Sequence, residues 1–123
     1  MPDESNLGAL SILAKPVSAA CNLACDYCFY RPHHVPYRKP RRMSEETLAA
    51  LLRQYMPLVE AAAICWQGGE PLLAGIEFYR RVVELQARCG RAGQAVSNAV
   101  QTNGLLLNAE FARLFSRYSF VVG

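Results

Sequence analysis

Cysteines 21, 25 and 28, in the run Cys21-Asn-Leu-Ala-Cys25-Asp-Tyr27-Cys28, put three thiols within eight residues. One loop of that length can wrap its sulfurs around a compact metal centre. A cubane of four irons and four sulfides usually takes four cysteines, so a trio leaves one iron without a protein ligand. An open coordination position lets a metal bind a reactant, as at catalytic zinc, whereas a closed shell is structural. Zinc is the competing reading: the same spacing, completed by His33 or His34, makes a Cys3His shell and a non-catalytic metal-binding module. Cys65 and Cys89 fall on a strand and a helix and read as inert, small apolar residues.

The second chemical element is Gly68-Gly69-Glu70-Pro71. Glycines let backbone approach a ligand closely, their peptide groups can pair with an ammonium, and Pro71 fixes the exit of the loop. Glu70 can secure the turn or contribute negative charge. Period-two geometry puts Cys65 and Gln67 on one face of the strand before this loop, and Gln101 and Asn103 on one face of a later strand. Gln101-Thr102-Asn103-Gly104 also reads as a strand end closed by a turn.

These groups need a scaffold that brings loops together at one edge, and the apolar pattern supplies one. Strands are expected at Ala9 to Val17, weakened by Pro16, at Ala61 to Gln67, at Ala95 to Asn103, and from Phe120 onward. Ser44 is an N-cap followed by Glu45 and Glu46, and Leu48, Leu51, Leu52 and Tyr55 share a face until Pro57. Ile76, Tyr79, Val82, Val83 and Gln86 recur at helical spacing, with Gly90 and Gly93 as stop signals. Asn108 caps a further helix through Phe111, Leu114 and Phe115. Strands alternating with helices predict an α/β fold, a parallel sheet forming the amino-terminal part of a partial (β/α) barrel. Ligands bind at the carboxyl edge of such sheets, where both motifs fall.

Length sets a limit on that barrel. The chain has 123 residues, about half of a complete barrel of roughly 250, and it stops at Val121-Val122-Gly123 on entering a strand. A truncated sheet is the expectation, with a single domain over 1–123. At 52% hydrophobic and 19% charged, the chain is neither a disordered tail nor a membrane bundle. The balance of 13 basic against 10 acidic residues excludes a strong electrostatic case for nucleic acid. Arg38-Lys39-Pro40-Arg41-Arg42 reads as a solvated loop. Asp3 and Glu4 stand where an export signal wants a basic start, and the apolar stretch after them breaks at Lys15-Pro16. A reducing cytoplasm is the expected location, with no membrane partner.

The cysteine loop, with Tyr27 before its last cysteine, resembles the signature of radical S-adenosylmethionine enzymes, and the later GGEP loop matches an element of that family. Adding Phe29-Tyr30, Arg42-Met43-Ser44, Trp66-Gln67 and Gln101-Thr102-Asn103-Gly104, the chain resembles the anaerobic sulfatase-maturating branch over nearly its full length. That resemblance implies a [4Fe-4S] cluster held by Cys21, Cys25 and Cys28, with S-adenosylmethionine on the open iron. One electron from the cluster then breaks the sulfonium bond to give a 5′-deoxyadenosyl radical. Tyr27, Gly68, Gly69 and Glu70 would orient the cofactor, and Gln67 and Tyr30 would face the substrate. The implied activity is oxidation of a cysteine or serine in a sulfatase polypeptide to formylglycine, or another radical peptide modification, with an external electron donor. A ribose-contacting serine, a proton-accepting carboxylate and auxiliary-cluster cysteines of that branch are expected beyond Gly123. No carboxylate within the chain takes the base role, so activity of this portion alone is not implied.

Overall fold

The computed structural model describes residues 10–17 and 42–123. Four strands, β1 (Ser11–Ala14), β2 (Ala61–Trp66), β3 (Ala95–Val100) and β4 (Val121–Val122), form one parallel sheet in the order β1-β2-β3-β4. Between them run α1 (Glu45–Tyr55), α2 (Ile76–Cys89) and α3 (Ala109–Arg117), with 3-10 turns at Met56–Leu58 and Pro71–Ala74. Strand order that follows chain order, without a reversal, is barrel-type winding rather than the doubly wound type.

Strand alternation separates the two faces of this sheet. Ala14, Ala62, Ile64, Trp66 and Val100 are buried together with Leu48 and Leu52 of α1, Phe78, Tyr79, Val82 and Leu85 of α2, and Phe111 and Phe115 of α3. The helices therefore cover one face. The row Leu13, Cys65, Ala99, Val121 crosses the sheet at matching register on the other face, where Leu13 is 54% and Val121 65% exposed.

Helices α1 and α3 begin where a side chain satisfies a free amide, whereas α2 starts at Gly75 without a side-chain cap. Ser44 Oγ accepts from the Thr47 N–H at 3.1 Å, and Asn108 Oδ1 accepts from the Phe111 N–H at 2.9 Å. The Tyr55 hydroxyl at the end of α1 accepts from the Ala63 N–H at 2.9 Å and donates to the Leu10 carbonyl, joining the helix to β1 and β2. Helix α2 is turned slightly from its expected face: Phe78 and Leu85 are buried, while Ile76 and Val83 are half-buried.

One polar cluster interrupts the apolar layer. Asn98 of β3 and Gln86 of α2 exchange two amide hydrogen bonds, at 2.9 and 3.0 Å, and Asn98 Oδ1 also accepts from Trp66 Nε1 at 3.0 Å. All three residues are buried, and among the described residues no buried side-chain polar atom lacks a partner. The Trp66 ring packs edge-on against Phe78 and Tyr79, with centroids 5.6 and 6.0 Å away.

Two strands, β1 and β3, stop three residues short of the sequence expectation. β1 stops at Ala14 rather than Val17, because Pro16 lacks a ladder N–H and Pro16-Val17 turn instead, with the Pro16 carbonyl accepting from Met43 N–H at 2.6 Å. β3 stops at Val100 rather than Asn103, because the Asn103 N–H is drawn to a carboxylate. Gln101 and Asn103 therefore do not share a strand face. Among the described residues no helix is long and apolar enough to cross a membrane.

Candidate functional site

The loops leaving β1, β2 and β3 emerge side by side at the carboxyl edge of the sheet. Gln67 N–H donates to the Ala14 carbonyl at 2.8 Å, Gln101 N–H to the Trp66 carbonyl at 3.0 Å, and Thr102 N–H to the Gly123 carbonyl at 3.0 Å. The strand from which the cysteine segment departs thus lies directly against the start of the glycine loop. Cys21, Cys25, Cys28, Tyr27 and Tyr30, with His33 and His34, lie outside the described residues. Among the described residues no group of three His, Cys, Asp or Glu side chains could hold a metal ion.

Gly68 has φ 109°, a backbone conformation that a side chain would strain. Gly68 and Gly69 are both half-buried, and neither has a side chain to cover its peptide groups. This arrangement leaves the backbone open to close approach by a ligand.

Glu70 is 0% exposed, and its carboxylate turns into the protein. It accepts from Leu72 N–H at 2.9 Å, from Asn103 N–H at 2.8 Å, and from the Thr102 hydroxyl, which lies 2.6 and 2.8 Å from its two oxygens. Of the two roles open to it in the sequence, securing the turn is the one this geometry displays. Behind the loop, the Tyr79 hydroxyl donates to the Pro71 carbonyl at 2.7 Å. Burial, and then the negative charge of Glu70, push the Tyr79 phenol well above its ordinary value.

Gln67 Nε2 donates to Cys65 Sγ at 3.1 Å, so the expected shared face of these two residues is present. Cys65 and Cys89 are free and half-buried; Cys89 packs against the core, whereas Cys65 lies on the uncovered face of the sheet and orients the Gln67 amide. Sequence reasoning gave Thr102 no role of its own. The available signal was a lone acid between Gly69 and Pro71, which needs donors once buried.

Comparison with known proteins fits this geometry. A family model described as the radical SAM superfamily matches residues 16–122. The serine-type anaerobic sulfatase-maturating enzyme of Klebsiella pneumoniae is 44% identical over 116 residues, covering 91% of this chain and 29% of that protein. The cysteine-type enzyme of Clostridium perfringens strain 13 is 36% identical over 119 residues, covering 93% of this chain and 32% of that protein. A solved structure, native anSMEcpe with bound AdoMet, superposes with TM-score 0.85 at 36% identity, over 94% of this chain and 31% of that one. The same protein with bound AdoMet and Cp18Cys peptide gives TM-score 0.82 at 35% identity, over 92% of this chain and 30% of that one. The chain spans about a third of the length of these relatives. With the family model covering nearly all of it and the barrel-type sheet in place, the chain belongs to the radical SAM superfamily.

Proposed function

We propose that this chain is the cluster- and cofactor-binding portion of a radical S-adenosylmethionine enzyme that oxidises a cysteine or serine of a sulfatase polypeptide to formylglycine. The observation that carries the reading is the placement of the Gly68-Gly69 loop beside the exit of β1, the strand that leads into the cysteine trio. The relatives' names support the reaction, and the peptide bound to one of them supports a polypeptide substrate.

In this reading Cys21, Cys25 and Cys28 hold a [4Fe-4S] cluster and leave one iron open. When bound, cluster and S-adenosylmethionine supply a hydrogen-abstracting organic radical. The chain's own residues bind and orient. Gly68 and Gly69 present peptide groups to the methionine end of the cofactor, Tyr27 lies beside it, and Glu70 holds the loop. Gln67 and Tyr30 face the substrate. The Cys65 thiol fixes the Gln67 carboxamide by accepting its N–H, which would present the amide oxygen to a peptide. The reading includes a low-potential electron donor, a cytoplasmic location, and no nucleic-acid or membrane partner.

Anaerobic reconstitution with iron and sulfide tests it. The expected product is a brown protein with four irons, whose reduced cluster changes its electron paramagnetic resonance spectrum when S-adenosylmethionine is added. Cys25→Ala should abolish assembly of the intact cluster. A colourless protein that takes up one equivalent of zinc and no iron would overturn the reading in favour of a Cys3His module.

A further inference from the structure

Thr102 stands in the turn after β3, within the Gln101-Gly104 stretch and outside the cysteine and glycine loops, and three strand ends meet at it. Its N–H donates to Gly123 at the end of β4 at 3.0 Å, and its hydroxyl donates to the Glu70 carboxylate that closes the loop after β2. The hydroxyl oxygen is itself used, accepting from Gly104 N–H at 3.1 Å. The hydroxyl is thus held from several directions and aims a single proton at a carboxylate.

Glu70 is just as constrained. With 0% exposure and oxygens occupied by Leu72 N–H, Asn103 N–H and the Thr102 hydroxyl, it has no surface to offer a ligand. What it can do is anchor the chain. Gly68 and Gly69 precede it, and glycine torsions are the softest in the backbone. Without an anchor, the peptide groups of the two glycines would sample many directions, and a ligand would have to order them on binding. Fixing them beforehand removes that cost. A hydrogen bond to a charged carboxylate is about twice as strong as one between neutral groups, so the hydroxyl is an effective anchor point.

We propose that Thr102 is a positioning residue of the cofactor cradle: its hydroxyl, acting through the Glu70 carboxylate, holds the Gly68-Gly69 peptide groups in the orientation that receives the methionine ammonium. The inference rests on the reading of this loop as the S-adenosylmethionine cradle.

The test compares wild type, Thr102→Val, which keeps the shape and loses the hydroxyl, and Thr102→Ser, which keeps the hydroxyl. Two measurements are made: S-adenosylmethionine affinity of the anaerobically reconstituted holoprotein at matched iron content, and hydrogen exchange of the 67–70 amides in cluster-free protein. Thr102→Val is expected to weaken cofactor binding about tenfold, equivalent to about 1.4 kcal/mol, with iron content unchanged and exchange in the glycine loop accelerated. Thr102→Ser is expected to recover both to within about twofold of wild type. Unchanged cofactor affinity in Thr102→Val overturns the inference, and so does a loss of cluster and cofactor together that the serine variant does not rescue. If wild type assembles its cluster and still binds no S-adenosylmethionine, the cradle reading itself fails and takes this inference with it.

Discussion

Burying a carboxylate is costly unless it finds donors, and Glu70 finds them in Leu72 just after it and in Thr102 and Asn103 of the next strand's turn. Glu70→Gln places an NH2 among these N–H and O–H groups, so hydrogen bonds are lost rather than exchanged. The expected cost is about 2–4 kcal/mol, read as a lower urea midpoint of the cluster-free protein. Gly68 is the second sensitive position: at φ 109° an alanine is strained by about 1–3 kcal/mol. Gly68→Ala should lower both thermal stability and S-adenosylmethionine affinity, whereas alanine at the exposed Gly93, which has open space for a Cβ though φ is 80°, should affect stability alone. The glycines and the acid were legible from their types. The partner of the acid was not, because Thr102 lies 32 positions away and meets Glu70 only when β2 and β3 pair.

At the scale of elements, α2 supports the site from behind through Tyr79. Its phenol is buried, and burial followed by the Glu70 charge raises its pKa above the ordinary 10.0. An unfolded tyrosine ionises near that ordinary value. The neutral folded form therefore contributes its full stability below about pH 10, and this contribution is lost as pH rises further, at up to about 1.4 kcal/mol per pH unit. Tyr79→Phe should cost about 1 kcal/mol at neutral pH by leaving the Pro71 carbonyl without its donor. It should also flatten the alkaline limb of an unfolding-against-pH series. On the same helix, Gln86 locks β3 through Asn98. Asn98→Ala leaves the Gln86 amide and Trp66 Nε1 without these partners, and a loss of about 3 kcal/mol is expected in equilibrium unfolding. Helix starts were readable at Ser44 and Asn108 because capping is local chemistry. The ends of β1 and β3 were not, since a proline turn and a distant carboxylate decide them. Asn98 gave no signal because its partners come from another strand and a helix.

For the whole molecule, the strand-helix alternation sufficed to predict a parallel sheet, and helices on one face of a sequentially ordered sheet make it barrel-type. β2 is paired along its length with β3 and over four residues with β1, whereas β4 contributes two residues. Native-state hydrogen exchange should therefore be slowest at Ile64 and Trp66 and fastest among the strands at Val121 and Val122. The backbone bonds that step from β1 to β2, β3 and Gly123 along the carboxyl edge have a further thermodynamic result. A small molecule seated on that rim engages groups that exist together only when all these strands are assembled, so its binding is linked to global folding. At a hundred times its dissociation constant such a molecule raises unfolding free energy by about 2.7 kcal/mol, and calorimetric scans would reveal occupancy as an upward-moving melting temperature without any turnover.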